Sequence, residues 1–480
     1  MRCCTATVVT TLLASCASAD EDGARRTAFA RVDSDMERLV TINRSIWTAA
    51  EVGLEERASS ATLIEYLESN GFRVEAGVAG MPTAFIASWG SGAPVVALLA
   101  EYDALPGMSQ RAEPARQALV EGGAGHACGH SVFGTASAAA AVATREAMER
   151  HGLAGTVRLY GTPAEETGIG KTYMVKDRLF DDCDVALHWH PGFETQATFS
   201  RSKAVVSVKY TFHGLAAHAS LSPHDGQSAL DGVELMNIGA NYLREHVKED
   251  ARIHYVITDG GGQPNVVPPR AQVWYYLRAD DHDDVEYLFA RLEKIARGAA
   301  LMTETRVEIE VASDSHELVP NRVISEIVHR NLERVGPPRF TAEEEAFARA
   351  TQAPLVELRG AELPRALAQD IVSLADEPDL IRASTDVGDV SWTVPTGGCR
   401  VACYTWGAPG HSWQIVACTG TSIGEKGLAV AAKAHAASAI DLLASPDLVR
   451  AAKEDFRRWR GERPYTSLIP PEQRAPVKIR

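Results

Sequence analysis

Val95-Val-Ala-Leu-Leu-Ala100 is six apolar residues in a row, with no alternation. Such a run reads as a strand covered on both faces, and so as part of a sheet with helices on either side. Downstream, Gly134 to Met148 predicts an Ala-rich helix, Thr156-Val-Arg-Leu-Tyr160 a strand and Asp184-Val-Ala-Leu-His188 another. Upstream, apolar positions at threes and fours from Arg31 to Asn70 predict helix, with Gly71 stopping it. Strand and helix in alternation build a mainly parallel sheet with helices on both sides.

The rhythm changes near residue 200. Ala204–Phe212, Arg252–Thr258, Gln272–Arg278 and Arg306–Val311 read as strands, with helices over Gly226–Val247 and Asp283–Ala296. Strand-helix-strand-strand-helix-strand is the ferredoxin-like pattern. After Pro320 helix and strand resume, ending in a second Ala-rich helix over Gly427–Leu443. The fold class is therefore α/β, a large domain on a mainly parallel sheet interrupted by a smaller ferredoxin-like α/β domain. The expected divisions are a leader at 1–19, the large α/β domain in two parts (27–199 and 315–445), the inserted smaller domain at 200–314, and a C-terminal helix and arm at 446–480. The basic cluster Arg457-Arg-Trp-Arg460 in that tail reads as a solvated face.

Composition narrows the function. The 480 residues carry a formal charge of −15, which repels phosphate backbones and anionic lipid, so neither nucleic acid nor a membrane surface is an expected partner. No uncharged apolar run in the body is long enough for a transmembrane span. The start differs: Arg2, a weakly apolar stretch and Ala17-Ser18-Ala19 have the marks of a secretory signal. Leu13-Ala14-Ser15-Cys16 equally resembles a lipobox with Cys16 as the lipidated residue. The reading is an exported bacterial protein, periplasmic or lipid-anchored, with a cytoplasmic start as the alternative. Beyond the leader five cysteines remain, an odd number without framework spacing, so disulfides are not expected.

Four motifs carry chemistry. Gly125-His-Ala-Cys-Gly-His130 puts a thiol and two imidazoles on a glycine-rich turn, able to converge on one cation, although a core Cys beside a capping His would look the same. Glu165 and Glu166 follow a strand directly. Adjacent carboxylates there either form a solvated turn or divide the work, one holding metal and the other serving as general base. Leu187-His-Trp-His190 offers two imidazoles at another strand end, and Gly410-His411 lies far along the chain. A metal site at the carboxyl ends of parallel strands would draw ligands from such scattered places.

With these residues in view the chain resembles the dinuclear metallo-amidohydrolases, the aminoacylase and carboxypeptidase family that includes hippurate and auxin-conjugate hydrolases. The runs that carry the likeness are Ala100-Glu-Tyr-Asp103-Ala-Leu-Pro106, His126-Ala-Cys-Gly-His130, Pro163-Ala-Glu-Glu166, His188-Trp-His190 and Gly410-His411. Glu234-Leu-Met-Asn-Ile-Gly239, Tyr242-Leu-Arg-Glu-His246 and Ser384-Thr-Asp-Val-Gly-Asp-Val-Ser-Trp392 look like the B-type chains of the aminobenzoyl-glutamate hydrolases. The resemblance implies two divalent ions, manganese or zinc, with Cys128, His130, Glu166, His190 and His411 as ligands and Cys128 as the bridge. His188 is the alternative to His190. It further implies Glu165 as general base, Asp103 orienting an imidazole, and Asn265 and Arg278 gripping the substrate's carboxylate.

His218 would stabilise the oxyanion at the partner subunit's site, which makes the working unit a homodimer joined through the inserted domain. The implied reaction is hydrolysis of the amide of an N-acyl or aryl-acyl amino acid, p-aminobenzoyl-glutamate-like or dipeptide-like, by metal-activated water. A second hydrolase subunit is a further implied partner. Ser131 stands where relatives carry Asp or Asn, and Thr167 and Ile169 replace glycines, which bears on the pocket floor. The alternative is a non-catalytic relative that keeps the fold as a binding or regulatory subunit; the intact Glu165 and ligand set argue against it. A Cys128 nucleophile is disfavoured because a metal-bound thiolate attacks poorly.

Overall fold

The computed structural model describes residues 20–478; the leader lies outside them. The helical stretch expected over 31–70 is two helices, α1 (Glu21–Ala49) and α2 (Arg57–Ser69). Between them the backbone turns at Ala50 and Leu54, both left-handed at φ 42° and 67°. The carboxylate of Glu51 accepts from the Ala58 and Ser59 N–H groups at 2.9 and 2.8 Å. It thereby satisfies donors that the start of α2 would leave orphaned, which periodicity cannot reveal.

The chain continues through β1 (Arg73–Ala76), β2 (Phe85–Ser91), β3 (Val95–Ala100), α3 (His130–His151), β4 (Gly155–Gly161), α4 (Gly170–Lys176), β5 (Val185–Gly192), β6 (Gln196–Thr198) and β7 (Ser200–Arg201). Then come β8 (Ala204–His213), α5 (Ala229–Leu243), β9 (Arg252–Asp259), β10 (Arg270–Ala279), α6 (His282–Met302) and β11 (Arg306–Ser315). The body resumes with α7 (Arg322–Val335), α8 (Ala342–Arg359), β12 (Asp379–Leu380), α9 (Val387–Thr393), β13 (Thr396–Ala402), α10 (Trp413–Thr419), α11 (Ser422–Ala444) and α12 (Pro446–Arg460).

The large sheet has the order β1-β2-β4-β3-β5-β13-β6. Its central strands β4, β3, β5 and β13 are parallel, while β2 and β6 run the other way and β1, antiparallel to β2, returns to the central direction. All six residues of β3 are buried, as its unbroken apolar run requires. The Ala-rich faces of α3 and α11 pack with α1 into one core. α11 is apolar and long enough to cross a membrane by composition, and it is mostly buried inside the protein. The four parallel strands thus end on one edge of the body.

β8 to β11 form a separate antiparallel sheet in the order β11-β8-β10-β9. Alternation divides its faces. Val206, Val208 and Tyr210 of β8 and Val273, Tyr275 and Leu277 of β10 are buried in one cluster with Val233 of α5 and Leu288 of α6. Ser207, Tyr276 and Arg278 lie on the opposite face. β9 is an edge strand, and Tyr255, Val256 and Ile257 on it are exposed.

α12 buries Val449, Ala452 and Phe456, and the arm beyond it is fastened down. His316 Nε2 pairs with the Thr466 carbonyl at 2.7 Å, Leu468 N–H donates to Asp314 at 2.6 Å, and Gln473 donates to the Val311 carbonyl at 2.7 Å. The segment therefore straps the end of β11 to the body. Among the described residues all five cysteines are free.

Candidate metal centre

Each parallel strand delivers part of one cluster at its carboxyl end. β3 runs into Glu101 and Asp103, and its long following loop returns through Cys128 into the first turn of α3, which begins at His130. β4 runs into Glu165 and Glu166, β5 contains His190, and the loop after β13 carries His411. The turn before Glu165 is strained, with Ala164 at φ 55°, a conformation L-residues avoid. It is held by Glu56, a buried residue whose Oε1 accepts the Ala164 N–H at 2.8 Å while Oε2 accepts the Thr83 hydroxyl at 2.8 Å. Sequence reading gave Glu56 no role.

Asp103 has two tasks. Its Oδ1 lies 2.8 Å from His130 Nδ1, and its Oδ2 accepts the Glu166 N–H at 3.0 Å. It therefore fixes the ring of His130 so that Nε2 faces the cluster, and anchors the backbone of the neighbouring carboxylate. His190 is set in the same manner: Nδ1 is 2.7 Å from the Pro191 carbonyl, leaving Nε2 at 3.3 Å from the Cys128 sulfur. His411 Nε2 lies 3.2 Å from Glu166 Oε2. Donor atoms of Cys128, His130 and His190 fall within 4.8 Å of one another, as do those of Cys128, Glu166 and His411. The thiol is common to both groups.

The structure brings His190 to the cluster, whereas His188 turns to the body interior, beside Gly398 and the charge of Lys171. The two share a face of β5, but His190 is nearer the carboxyl end by about 7 Å. His126 bonds the Ile46 carbonyl at 3.0 Å and so ties its loop to α1.

The donor set fits divalent cations. Glu101 Oε2, His130 Nε2 and Glu166 Oε1 are buried with no hydrogen-bond partner among the described residues, and such orphaned groups are costly unless a ligand satisfies them. Glu101, Asp103, Glu165, Glu166 and Asp386 gather around one buried ammonium, Lys171, so the centre holds an excess of negative charge. Burial and the carboxylates of Glu101, Asp386 and Glu166 accordingly push Glu165 well above the usual carboxylate range. Hydrogen bonds to Cys128 and Glu166 raise His411 to about 10. Protons are drawn where metal ions would relieve the same charge.

A small cleft of about 40 Å³ opens beside the two glutamates, between their turn and the open face of the β8–β11 sheet. Arg278, Tyr276, Ser207 and Ser315 line it, together with Thr167, Gly168 and Thr385. Arg278 and Glu165 thus line the same cleft, near enough for their charges to interact. Thr167, expected to alter the pocket floor, is one of its walls, and its carbonyl accepts the Ser313 hydroxyl at 2.9 Å. Ile169 is buried beneath. Ser131 is buried with its hydroxyl unpaired among the described residues. His218 and Asn265 lie together in exposed loops of the inserted domain, where the Ala219 N–H donates to the Asn265 carbonyl at 3.0 Å. Neither is among the residues gathered at the ligand cluster of the same chain.

The profile of Peptidase family M20/M25/M40 matches residues 97–471. The B chain of the p-aminobenzoyl-glutamate hydrolase of Escherichia coli (strain K12), one of that enzyme's subunits, is 42% identical over 461 residues, 92% of this chain and 96% of that protein. The Xaa-Arg dipeptidase of Mus musculus is 30% identical over 447 residues, 90% of this chain and 92% of that protein. Among solved structures, a Bacillus subtilis protein described as a dinuclear metal binding peptidase of the M20 family superposes with a TM-score of 0.54 at 17% identity, covering 86% of this chain and 99% of that one. This last likeness is one of fold.

Proposed function

Because the chain belongs to Peptidase family M20/M25/M40, we propose that it is a dimetal amidohydrolase that cleaves the amide of an N-acyl or aryl-acyl amino acid. The observation that carries this reading is the pair of ligand groups, Cys128–His130–His190 and Cys128–Glu166–His411, joined through one sulfur with Glu165 beside them. Two divalent ions held there, manganese or zinc, would supply an activated water and polarise the amide carbonyl.

The chain's own residues do the rest. Glu165 accepts the proton of the attacking water and passes it to the leaving nitrogen. Asp103 keeps His130 in one ring orientation. Arg278 lines the cleft with its Nε unpaired among the described residues, and grips the substrate's carboxylate with a planar guanidinium. Asn265 and His218 sit on an exposed lobe, so they would serve the site of a second copy, His218 as the oxyanion donor. A homodimer through the inserted domain is supported by the free edge of β9 with its exposed Tyr255, Val256 and Ile257, which an isolated monomer would leave open to pairing.

The E. coli relative is named as one subunit of a hydrolase, which supports a partner subunit as part of the same proposal. Export, read from residues 1–19, belongs to it as well and is checked by cell fractionation. The test of activity is a panel of N-acyl amino acids, dipeptides and p-aminobenzoyl-glutamate assayed after chelation and on adding manganese or zinc. Activity lost with chelator and restored by metal is expected. Turnover untouched by chelation, or by Glu165→Ala, would overturn the reading.

A further inference from the structure

We propose that Glu101 is an additional protein ligand of the ion that His130 serves, aimed at it from behind by Lys171. This rests on the dimetal reading above and extends it to a residue that reading does not use.

Glu101 is the first residue beyond β3 and is fully buried. Its two oxygens have different surroundings. Oε1 receives the Lys171 ammonium at 2.7 Å. Oε2 lies 3.2 Å from His130 Nε2, and neither of those two atoms is in hydrogen-bonding geometry with any described residue. His130 has already committed Nδ1 to Asp103, so Nε2 is its metal-facing nitrogen, and Glu101 Oε2 points at the same place. Glu165 Oε2 stands 4.0 Å from that nitrogen on another side. One donor atom each from Glu101, His130 and Glu165 lies within 4.8 Å of the others.

The spacing matches shared coordination. Two donors each about 2.1 Å from one cation lie about 3.0 Å apart at a right angle and about 3.4 Å apart in a tetrahedron. The Glu101–His130 separation falls between these values, like the 3.3 Å between Cys128 and His190.

Lys171 explains why Oε2 stays turned inward. Its side chain is wholly buried, with Nζ 2.6 Å from Asp386 and its own backbone N–H donating to the other Asp386 oxygen at 2.9 Å. A lysine pinned at both ends leaves Glu101 one orientation. A salt bridge serving stability alone would need only Asp386, and would not require a second carboxylate with an oxygen left bare beside a ligating imidazole.

Two measurements on the full-length protein decide the matter. In a crystal structure of the wild type loaded with manganese, a Glu101 oxygen is expected within about 2.4 Å of the ion beside His130. Both oxygens beyond about 3 Å would overturn the proposal while leaving the dimetal reading intact. In solution, manganese titrated into chelator-stripped protein should fill two sites per chain. Glu101→Gln should weaken one of them by about 10–100-fold or more and spare the other, and Lys171→Met should weaken the same one. Glu101→Gln binding both ions as the wild type does would overturn the assignment. Wild-type protein that takes up no manganese at all would remove the dimetal reading and this inference together. Should either variant fail to fold, the wild-type distance decides alone.

Discussion

Replacing Glu56 tests whether the catalytic turn is held by this buried carboxyl, which lies 108 residues before the Ala164 N–H it accepts. Glu56→Ala strips the partner from two buried donors, the Ala164 N–H and the Thr83 hydroxyl. Each unsatisfied donor costs about 1–3 kcal/mol, partly recovered because a buried carboxyl is also removed, so a net loss of roughly 2–4 kcal/mol is expected. Ala164 is also held at φ 55°, a conformation costing about 1–2 kcal/mol that relaxes once the anchor goes. Glu165 and Glu166 follow directly in the chain, and displacing reacting groups by about 1 Å costs on the order of 100-fold in rate.

The expected signature is therefore a lower urea midpoint together with a kcat reduced about 100-fold and a KM barely moved. Glu56→Gln is the control. Its carbonyl can accept from Ala164 while its NH2 donates to Thr83, whose hydroxyl can reverse, so both bonds survive without charge. This fits a carboxyl that burial and the charge of Asp103 push up to about 8, protonated through most of the neutral range. Urea unfolding followed by circular dichroism and steady-state hydrolysis give the two numbers. Glu56→Ala with wild-type turnover, or Glu56→Gln as damaged as Glu56→Ala, would refute the reasoning.

Three further outcomes are expected. Arg278→Ala should raise KM about 10–100-fold for substrates with a free carboxylate, from one lost charge-assisted contact of about 1.5–3 kcal/mol, and leave the corresponding carboxamides unchanged. Inactive His218→Ala and Glu165→Ala proteins, mixed after dissociation, should recover about a quarter of wild-type activity, because half the reassembled pairs carry one complete site; no recovery would count against a site shared between copies. Burial holds His316 at about 3 and His435 at about 4. Each imidazole thus binds its proton more readily unfolded than folded, so stability present above about pH 6.5 is lost on acidification toward those values. Each contributes up to about 1.4 kcal/mol per pH unit in that window. His316→Gln should flatten the slope of unfolding free energy against pH, measured by urea titrations from pH 7 to 4.

What the sequence revealed follows the range of the interactions. The unbroken Val95–Ala100 run dictated a strand buried on both faces, and strands like it aim their ends at one place, so scattered motifs can meet; the particular set Cys128, His130, Glu166, His190 and His411 rested on the family resemblance, and the structure brings these side chains together. The break between α1 and α2 stayed hidden because Glu51 supplies it through side-chain bonds rather than through hydrophobic spacing. Glu56 and Lys171 were equally silent, and Asp386 stood only within a run that carries the resemblance, with no role of its own. Each is an ordinary charged residue in sequence, and the Lys171–Asp386 pair spans 215 positions. Neither member carries meaning until the fold buries both. His188 and His190 are identical residues on one face of β5, and their distance from the strand's end, which places His190 at the cluster, is not visible in the sequence.

The strap that runs over the end of β11 also orders events in time. Asp314 is translated 154 positions before Leu468, the residue whose amide it receives, a wait of roughly 8–30 s at ordinary elongation speed. During that interval the two lobes can each reach their own shape on the ribosome, but their mutual register is still open. Fastening therefore waits until the arm itself has emerged. A chain cut just past Arg460 would keep Cys128, His130, Glu166, His190 and His411 but lose the bonds that tie Val311, Asp314 and His316 to the arm.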